Sequence, residues 1–420
     1  MKNSFRLLSW MGPLAWICVG TASDAGAAVS EFIKFKDENS LNAFVQQHSQ
    51  AQRLHRGLLW VEWKSSDSME FSQLEAASLG IVRRENSAVS YSIPKPQPVV
   101  FPSAETPDSK LWGINIIGAP QAWEVTQGSN DVIVAVVDTG IDYNHPALKD
   151  NMWVNAAEAA GQAGVDDDGN GIVDDIYGAD FISGHATPLD DEGHGSHVAG
   201  TIAGSLPANN FYGVAPRARL MAVKTHNTRG EGSKISVVKG ILYAADMGAR
   251  VLNCSWGGAP EAGAYDQLLF DAIEYANKKG AVLVAAAGNE SANNDQGPHF
   301  PANYDLAGII SVAASDKLDR RANFSNYGAN SVDLAAPGLG IFSVAAGGKG
   351  YTYLSGTSMA TPHVAGAVAL LASTAAGRSL SAGEIRDSLM ANVEKLGEWR
   401  TRTISGGRLD LKFLSRFGKR

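Results

Sequence analysis

Hydrophobic spacing divides the chain into two regions. Beyond about residue 110, short apolar, β-branched runs recur at 132–137, 219–223, 249–254, 281–286 and 309–313. Helical patterns stand between them, as at 237–247 and 265–279. Strands apolar on both sides need both faces covered, so this spacing predicts an α/β fold: a doubly wound, mainly parallel sheet with helices on both faces. The preceding region reads differently. Residues 32–35, 58–63, 80–82 and 89–93 have strand character, and capped-helix patterns begin near Asn39-Ser40 and over 70–77. This is a small α+β unit. It runs into Pro94, Pro96, Pro98, Pro102 and Pro107, an extended connector that marks a domain boundary. The chain therefore divides into residues 28–105 and residues 106–420, after a leader of residues 1–27.

The leader joins Lys2 and Arg6 to an apolar run from residue 7 to about 19 and the small residues Ala25-Gly26-Ala27. That order is the pattern of a secretory signal peptide. Gly12, Pro13 and Gly20 keep the run below the roughly 20 residues that span a bilayer. The expectation is export, no membrane attachment after cleavage, and a destination outside the cell or in the periplasm.

Among 420 residues, 45% are hydrophobic and 19% charged, enough apolar content for a sizeable core. The formal charge of −8 gives no general basic surface for nucleic acid. Two cysteines, Cys18 in the leader and Cys254, exclude a disulfide framework and a four-cysteine zinc site.

Three segments carry candidate chemistry. The strand over 132–137 runs into Asp138-Thr139-Gly140, Gly193-His194-Gly195-Ser196-His197 opens a helix of small residues, and Gly356-Thr357-Ser358-Met359 precedes an apolar helix over 364–371. Taken singly, the Asp could be a cap, the His a satisfied structural group and the Ser a helix cap. His197 invites a metal reading, but a His-Glu-x-x-His zinc helix would need Glu where Gly195 stands, so His197 reads as structural. His363 reads as a packed helix residue and Asp142 as a turn or surface group.

Together, in the order Asp, His, Ser, the segments resemble the subtilisin-like serine peptidases. The likeness covers roughly residues 110–409 and includes Gly213-Val214-Ala215-Pro216, Asn253-Cys254-Ser255-Trp256-Gly257-Gly258, Ala286-Ala287-Gly288-Asn289 and Ala335-Ala336-Pro337-Gly338. It implies a secreted serine endopeptidase with Ser358 as nucleophile, His194 as general base and then acid, and Asp138 orienting the imidazole. It further implies Asn289 as oxyanion donor, with substrate strands pairing to Ser255, Trp256 and Gly257 and to residues 230–233 opposite. Gly288 would wall the primary pocket, His299 would lie near its floor, and Glu290 at its rim. Residues 28–105 would be a propeptide that assists folding, covers the active site as an intramolecular inhibitor and is cut off between 99 and 109. Partners are protein or peptide substrates, and the expected state is a monomer.

The acidic run Asp166-Asp167-Asp168-Gly169-Asn170-Gly171 places oxygen ligands at alternate positions, like the first half of an EF-hand, but Tyr177 holds the place of its closing Glu. Asp166, Asp168, Asn170 and Asp174 are the candidate ligands of a structural calcium ion, with Asp175 an alternative to Asp174 and a solvated loop the other reading. No organic cofactor is expected. Rival functions are a catalytically silent binding protein on the same fold, an acyl hydrolase acting on non-peptide esters or amides, and a narrow-specificity processing protease.

Overall fold

A computed structural model of the chain describes residues 29–65, 73–86, 89–94, 110–184, 186–258, 265–348 and 350–417. The leader, most of the proline connector and the 99–109 window lie outside the described residues.

The core is a nine-stranded sheet. Its order is Glu394–Lys395, Gly407–Arg408, Leu334–Pro337, Ile309–Ser315, Val282–Ala286, Val251–Cys254, Ile133–Asp138, Arg219–Lys224 and Gly178–Asp180. All neighbours run parallel except the short Glu394–Lys395 strand, which pairs antiparallel with Gly407–Arg408. Alternation within each strand feeds two cores. Val134, Val136, Leu220, Ala222, Val282 and Val284 face the His194–Ala203 and Thr357–Ser373 helices. Ala135, Val137, Met221, Val223, Leu283 and Ala285 face the Lys234–Asp246 and Gln267–Lys278 helices. Covered on both sides, the strands have no polar face to show, which is why they read as unbroken apolar runs.

The chain starts this sheet in the middle, at Ile133–Asp138, proceeds to one edge, then returns to Val251–Cys254 and builds outward the other way. Adjacent strands whose connections diverge leave a crevice at their carboxyl ends. Asp138 and Ser255 stand at that crevice.

Residues 29–86 form a separate four-stranded antiparallel sheet, ordered Ala51–Arg53, Trp60–Ser65, Val29–Phe35 and Ile81–Asn86. The Glu38–Gln47 helix packs on it, its start capped by Asp37, which accepts from Ser40 N at 2.8 Å. The unit docks on the Lys234–Asp246 and Gln267–Lys278 helices, burying Phe32, Leu58 and Trp60 in their core. Polar contacts fix the docking: Lys34 to Asp271 at 2.7 Å, Trp60 Nε1 to Asp271 at 2.7 Å, His55 to Asp246 at 3.0 Å and Lys234 to Glu85 at 2.9 Å. Among the described residues, no helix is long and apolar enough to cross a membrane.

Candidate active site

Asp138 ends its strand fully buried. His194 Nδ1 lies 2.8 and 3.0 Å from its two carboxylate oxygens, and Thr139 N donates to Oδ1 at 2.8 Å. Burial alone would lower the His194 pKa, but the Asp138 charge and hydrogen bond, with help from Glu192 and Asp190, raise it above its ordinary value. A buried imidazole whose Nδ1–H is held by a carboxylate presents Nε2 as a proton acceptor. That Nε2 is buried and makes no hydrogen bond.

Small residues and one buried acid hold His194 in place. Asp190 accepts from Glu192 N, Gly193 N, Ser196 N, Ser196 Oγ and Thr139 Oγ1, so it fastens the helix N-terminus to the Asp138 turn. Gly195 passes against that turn so closely that a Cβ would stand 2.1 Å from Gly140 O. No other residue fits there. Asp190 escaped the sequence reading; its only signal was its place in the acidic stretch just ahead of the Gly-His motif.

Ser358 is the second residue of the Thr357–Ser373 helix, a helix buried along its whole length. Pro362 inside it has no N–H to give the Ser358 carbonyl four residues back. Ser255 Oγ donates to that carbonyl instead, at 2.9 Å. In return Ser358 Oγ donates to Ser255 O at 2.7 Å, so the hydroxyl points to the strand end rather than to His194. Asn289 follows the Val282–Ala286 strand, and its Oδ1 accepts from Thr357 N and Thr357 Oγ1, both at 2.9 Å. That orientation frees its Nδ2. A Cβ built on Gly356 would lie 3.4 Å from Asn289 Nδ2 and 3.5 Å from Ser358 N, so two donors border one small space. Donors converging on one point can stabilise an oxyanion.

The predicted groove residues also come together. The segment Ser90–Ser92 pairs antiparallel with Glu231–Ser233, and Ile93 N donates to Gly230 O at 2.8 Å. On its other side Gly257 N donates to Ser92 O at 3.3 Å. Trp256 is buried, its Nε1 donating to Val137 O at 2.7 Å, and its ring stands 5.4 Å from those of Tyr91 and His226. His299 fills the space between Gly257 and Gly288, where added Cβ atoms would meet its ring at 2.4 and 2.9 Å. Its Nδ1 is buried without a partner, and Glu290 lies 3.9 Å from Nε2. Burial lowers the His299 pKa despite that carboxylate.

His197 donates through Nε2 to Ile341 O at 3.0 Å, and His363 Nδ1 pairs with Met359 O at 2.9 Å. Burial pushes their pKa values down to about 3 and about 4. Asp142 is buried and accepts from Gly347 N and Asn144 N, a turn-holding role.

Around the acidic loop a carboxylate cluster forms that includes Asp168 of the four candidate ligands and the alternative Asp175. Carboxylate oxygens of Glu158, Asp168 and Asp175 lie within 4.8 Å of one another. Asn170 Nδ2 bridges Asp168 and Asp175 at 2.9 and 3.0 Å, an electropositive group in the place between the two acids. Asp166 accepts from Asn170 N and Gly171 N, Asp174 from Gly164 N, and Glu158 from Asp167 N, Asp168 N and Asp174 N. Burial raises the Asp175 pKa. Glu158 sits on the upstream Ala156–Ala160 helix, outside the acidic run, and no spacing pattern pointed to it.

The model of the Subtilase family matches residues 129–412. Thermitase of Thermoactinomyces vulgaris is 40% identical over 69% of this chain and 90% of its own length. A thermophilic serine proteinase of Bacillus sp. strain AK1 is 38% identical over 74% of this chain and 69% of its own. An alkaline protease of Alkalihalobacillus alcalophilus is 34% identical over 88% of this chain and 84% of its own, a span that must reach upstream of residue 129.

Proposed function

The chain belongs to the subtilase family and is a serine-type endopeptidase acting on protein substrates; within that activity, we propose that it works through an Asp138, His194 and Ser358 triad and is made as a self-processed, exported precursor. The observation that carries this reading is the buried Asp138–His194 pair, with its free Nε2 beside a groove that already holds a strand.

In the proposed reaction Ser358 Oγ turns from Ser255 O toward His194 Nε2 and attacks the scissile carbonyl, giving its proton to the imidazole. Asp138 stabilises the resulting imidazolium. Asn289 Nδ2 and Ser358 N receive the oxyanion. The imidazolium protonates the leaving amine, and water repeats the sequence on the acyl-enzyme. A substrate N–H bonding to Ser255 O would compete for the acceptor that Ser358 now uses and so free the hydroxyl.

The strand in the groove supports reading residues 28–105 as an inhibitory propeptide. Antiparallel pairing of Ser92 with Gly257 sets residue 94 opposite Ser255. Pro94 has no N–H to offer Ser255 O, and Ser358 keeps that acceptor. A cut after Pro94 needs no shift of the strand, whereas a cut within 99–109 requires it to slide at least five residues along the groove. Residues 1–27 would direct export and be removed.

Glu158, Asp168 and Asp175 suit a hard, oxygen-preferring cation such as calcium, whose part would be to neutralise their charge and pin the loop. Asp166 and Asp174 would shape that loop rather than bind.

The test is intact mass of the purified precursor, native beside Ser358→Ala, with calcium and with chelator. Loss of about 95 to 110 N-terminal residues from the native protein alone supports Ser358-dependent self-processing, and the product mass names the bond. Precursors trimmed alike would overturn self-processing.

A further inference from the structure

Tyr91 is the side chain that the groove-bound strand buries most purposefully. Its ring packs at a 53° tilt against Trp256, and its hydroxyl donates to Asp266 Oδ2 at 2.7 Å. Tyr91 is 4% exposed and Asp266 6% exposed, so this hydrogen bond lies at the floor of a pocket. Asp266 belongs to the catalytic body. Its Oδ1 caps the Gln267–Lys278 helix by accepting from Leu269 N, and its Oδ2 also lies 3.3 Å from Lys234 Nζ. Tyr304 closes the floor, its hydroxyl donating to Asp266 O at 2.8 Å. An apolar slot would need none of this. Here a buried carboxylate awaits a hydroxyl at the depth that a tyrosine ring reaches.

The register fixes where a substrate would present that tyrosine. Residue 94 stands opposite Ser255, whose carbonyl receives the Ser358 hydroxyl, so a peptide in the same track exposes its fourth residue to Ser358 when its first lies at Tyr91. From this we infer that the enzyme selects protein segments carrying tyrosine three residues before the residue whose carbonyl is attacked, with Asp266 reading the phenol hydroxyl. The inference rests on the reading of Ser358 as nucleophile and of the groove as the substrate track.

Departure of residues 29–94 sharpens the case. Glu85, which holds Lys234 at 2.9 Å, leaves together with Tyr91. Lys234, on one docking helix, and Asp266, the cap of the other, remain as a pair, and the Asp266 Oδ2 that loses the Tyr91 hydroxyl keeps Lys234 Nζ at 3.3 Å. A substrate tyrosine restores that hydroxyl. Phenylalanine fills the same volume but brings no hydroxyl, so Oδ2 loses its short hydrogen bond and keeps only the longer Lys234 contact, an asymmetry that discriminates more strongly than ring size does.

The experiment compares the processed enzyme on matched octapeptides that differ only by tyrosine or phenylalanine at that place, reading kcat/KM and the cleaved bond by mass. A hydrogen bond to a charged acceptor predicts a preference for tyrosine on the order of 10–100-fold. In Asp266→Asn, which retains a helix cap of the same shape, that ratio should fall toward one. Equal rates for the two peptides with the native enzyme, or cleavage at another spacing, would overturn the inference and need no variant. Casein hydrolysis by native enzyme and Ser358→Ala runs beside it. Ser358-dependent casein cleavage without tyrosine preference removes the inference alone, whereas casein cleavage that ignores Ser358→Ala removes the underlying reading as well.

Discussion

Three buried histidines should make the protein acid-labile, and the size of the effect follows from their surroundings. His197, His226 and His363 are each buried, and burial brings their pKa values to about 3, about 4 and about 4. In the unfolded chain each would titrate near 6.5. The unfolded state then binds more protons than the folded one below pH 6.5, so stability rises with pH. The contribution of each neutral histidine is complete above pH 6.5 and is lost as pH falls toward its folded value, about 3 for His197 and about 4 for the other two. At pH 5 an unfolded imidazole gains about 2 kcal/mol from protonation that the buried one forgoes. Three such sites give about 6 kcal/mol, within the range of a whole domain's stability. His194, with its raised value, works in the opposite sense: its contribution is present below 6.5 and lost as pH rises through its folded value. The raised carboxyls of Asp175, Asp266 and Asp333 also oppose acid unfolding. The measurement must therefore isolate one histidine. His197→Gln keeps a donor for Ile341 O and removes the titration. Urea unfolding of Ser358→Ala with and without His197→Gln, at pH 8 and pH 5 and fixed calcium, should show the parent losing about 2 kcal/mol more than the variant. An equal loss in both would refute the claim that His197 stays neutral in the fold.

The remaining expectations concern the site and the loop. Asn289→Ala should fold and lose on the order of 10²–10³ in kcat, the cost of losing this donor in subtilisin itself, with KM little changed; a loss confined to KM would remove it from the oxyanion role. The acid limb of kcat/KM should lie above pH 6.5 because His194 is raised, and Asp138→Asn should move it downward while costing about 10⁴ in rate; an unmoved limb would mean that another group titrates. Gly195→Ala would press a methyl into Gly140 O, backbone against backbone, so its melting temperature in the Ser358→Ala background should drop by several degrees; an unchanged value would contradict the close approach. Asp175→Asn should remove most of any stabilisation that calcium confers, while Asp166→Asn should leave the calcium dependence largely intact; the reverse order in thermal melts with and without chelator would restore the ligand set read from the sequence.

Much of the sheet was legible because burial on both faces forces continuous apolar runs. The five runs read from the sequence correspond to Ile133–Asp138, Arg219–Lys224, Val251–Cys254, Val282–Ala286 and Ile309–Ser315. What escaped lies toward the sheet's edges. Gly178–Asp180 and Gly407–Arg408 are too short to show a pattern, and Leu334–Pro337 read only as a linking stretch because alanines give a weak strand signal. The helix at Ser358 was read only over 364–371. Pro362 argues against helix ahead of it, and nothing local reveals that Ser255, 103 residues away, supplies the bond that Pro362 cannot.

The same distinction governs the site. Asp138 ends a strand, His194 and Ser358 open helices and Asn289 follows a strand by three residues, so local spacing locates them, and the strand-helix order brings their segments to one crevice. Glu158 and Asp266 have no such marker. One stands on a five-residue helix ahead of the acidic loop, the other caps a helix as many aspartates do. Their proposed roles arise from partners outside their own elements, Asp168 and Asp175 in the following loop in one case, the distant Tyr91 and Lys234 in the other. A motif records what chemistry demands of neighbouring residues. The proposed selectivity and the proposed cation site would rest on side chains that meet only in the folded molecule, and for Asp266 the meeting partner at Tyr91 is one that a substrate would have to replace.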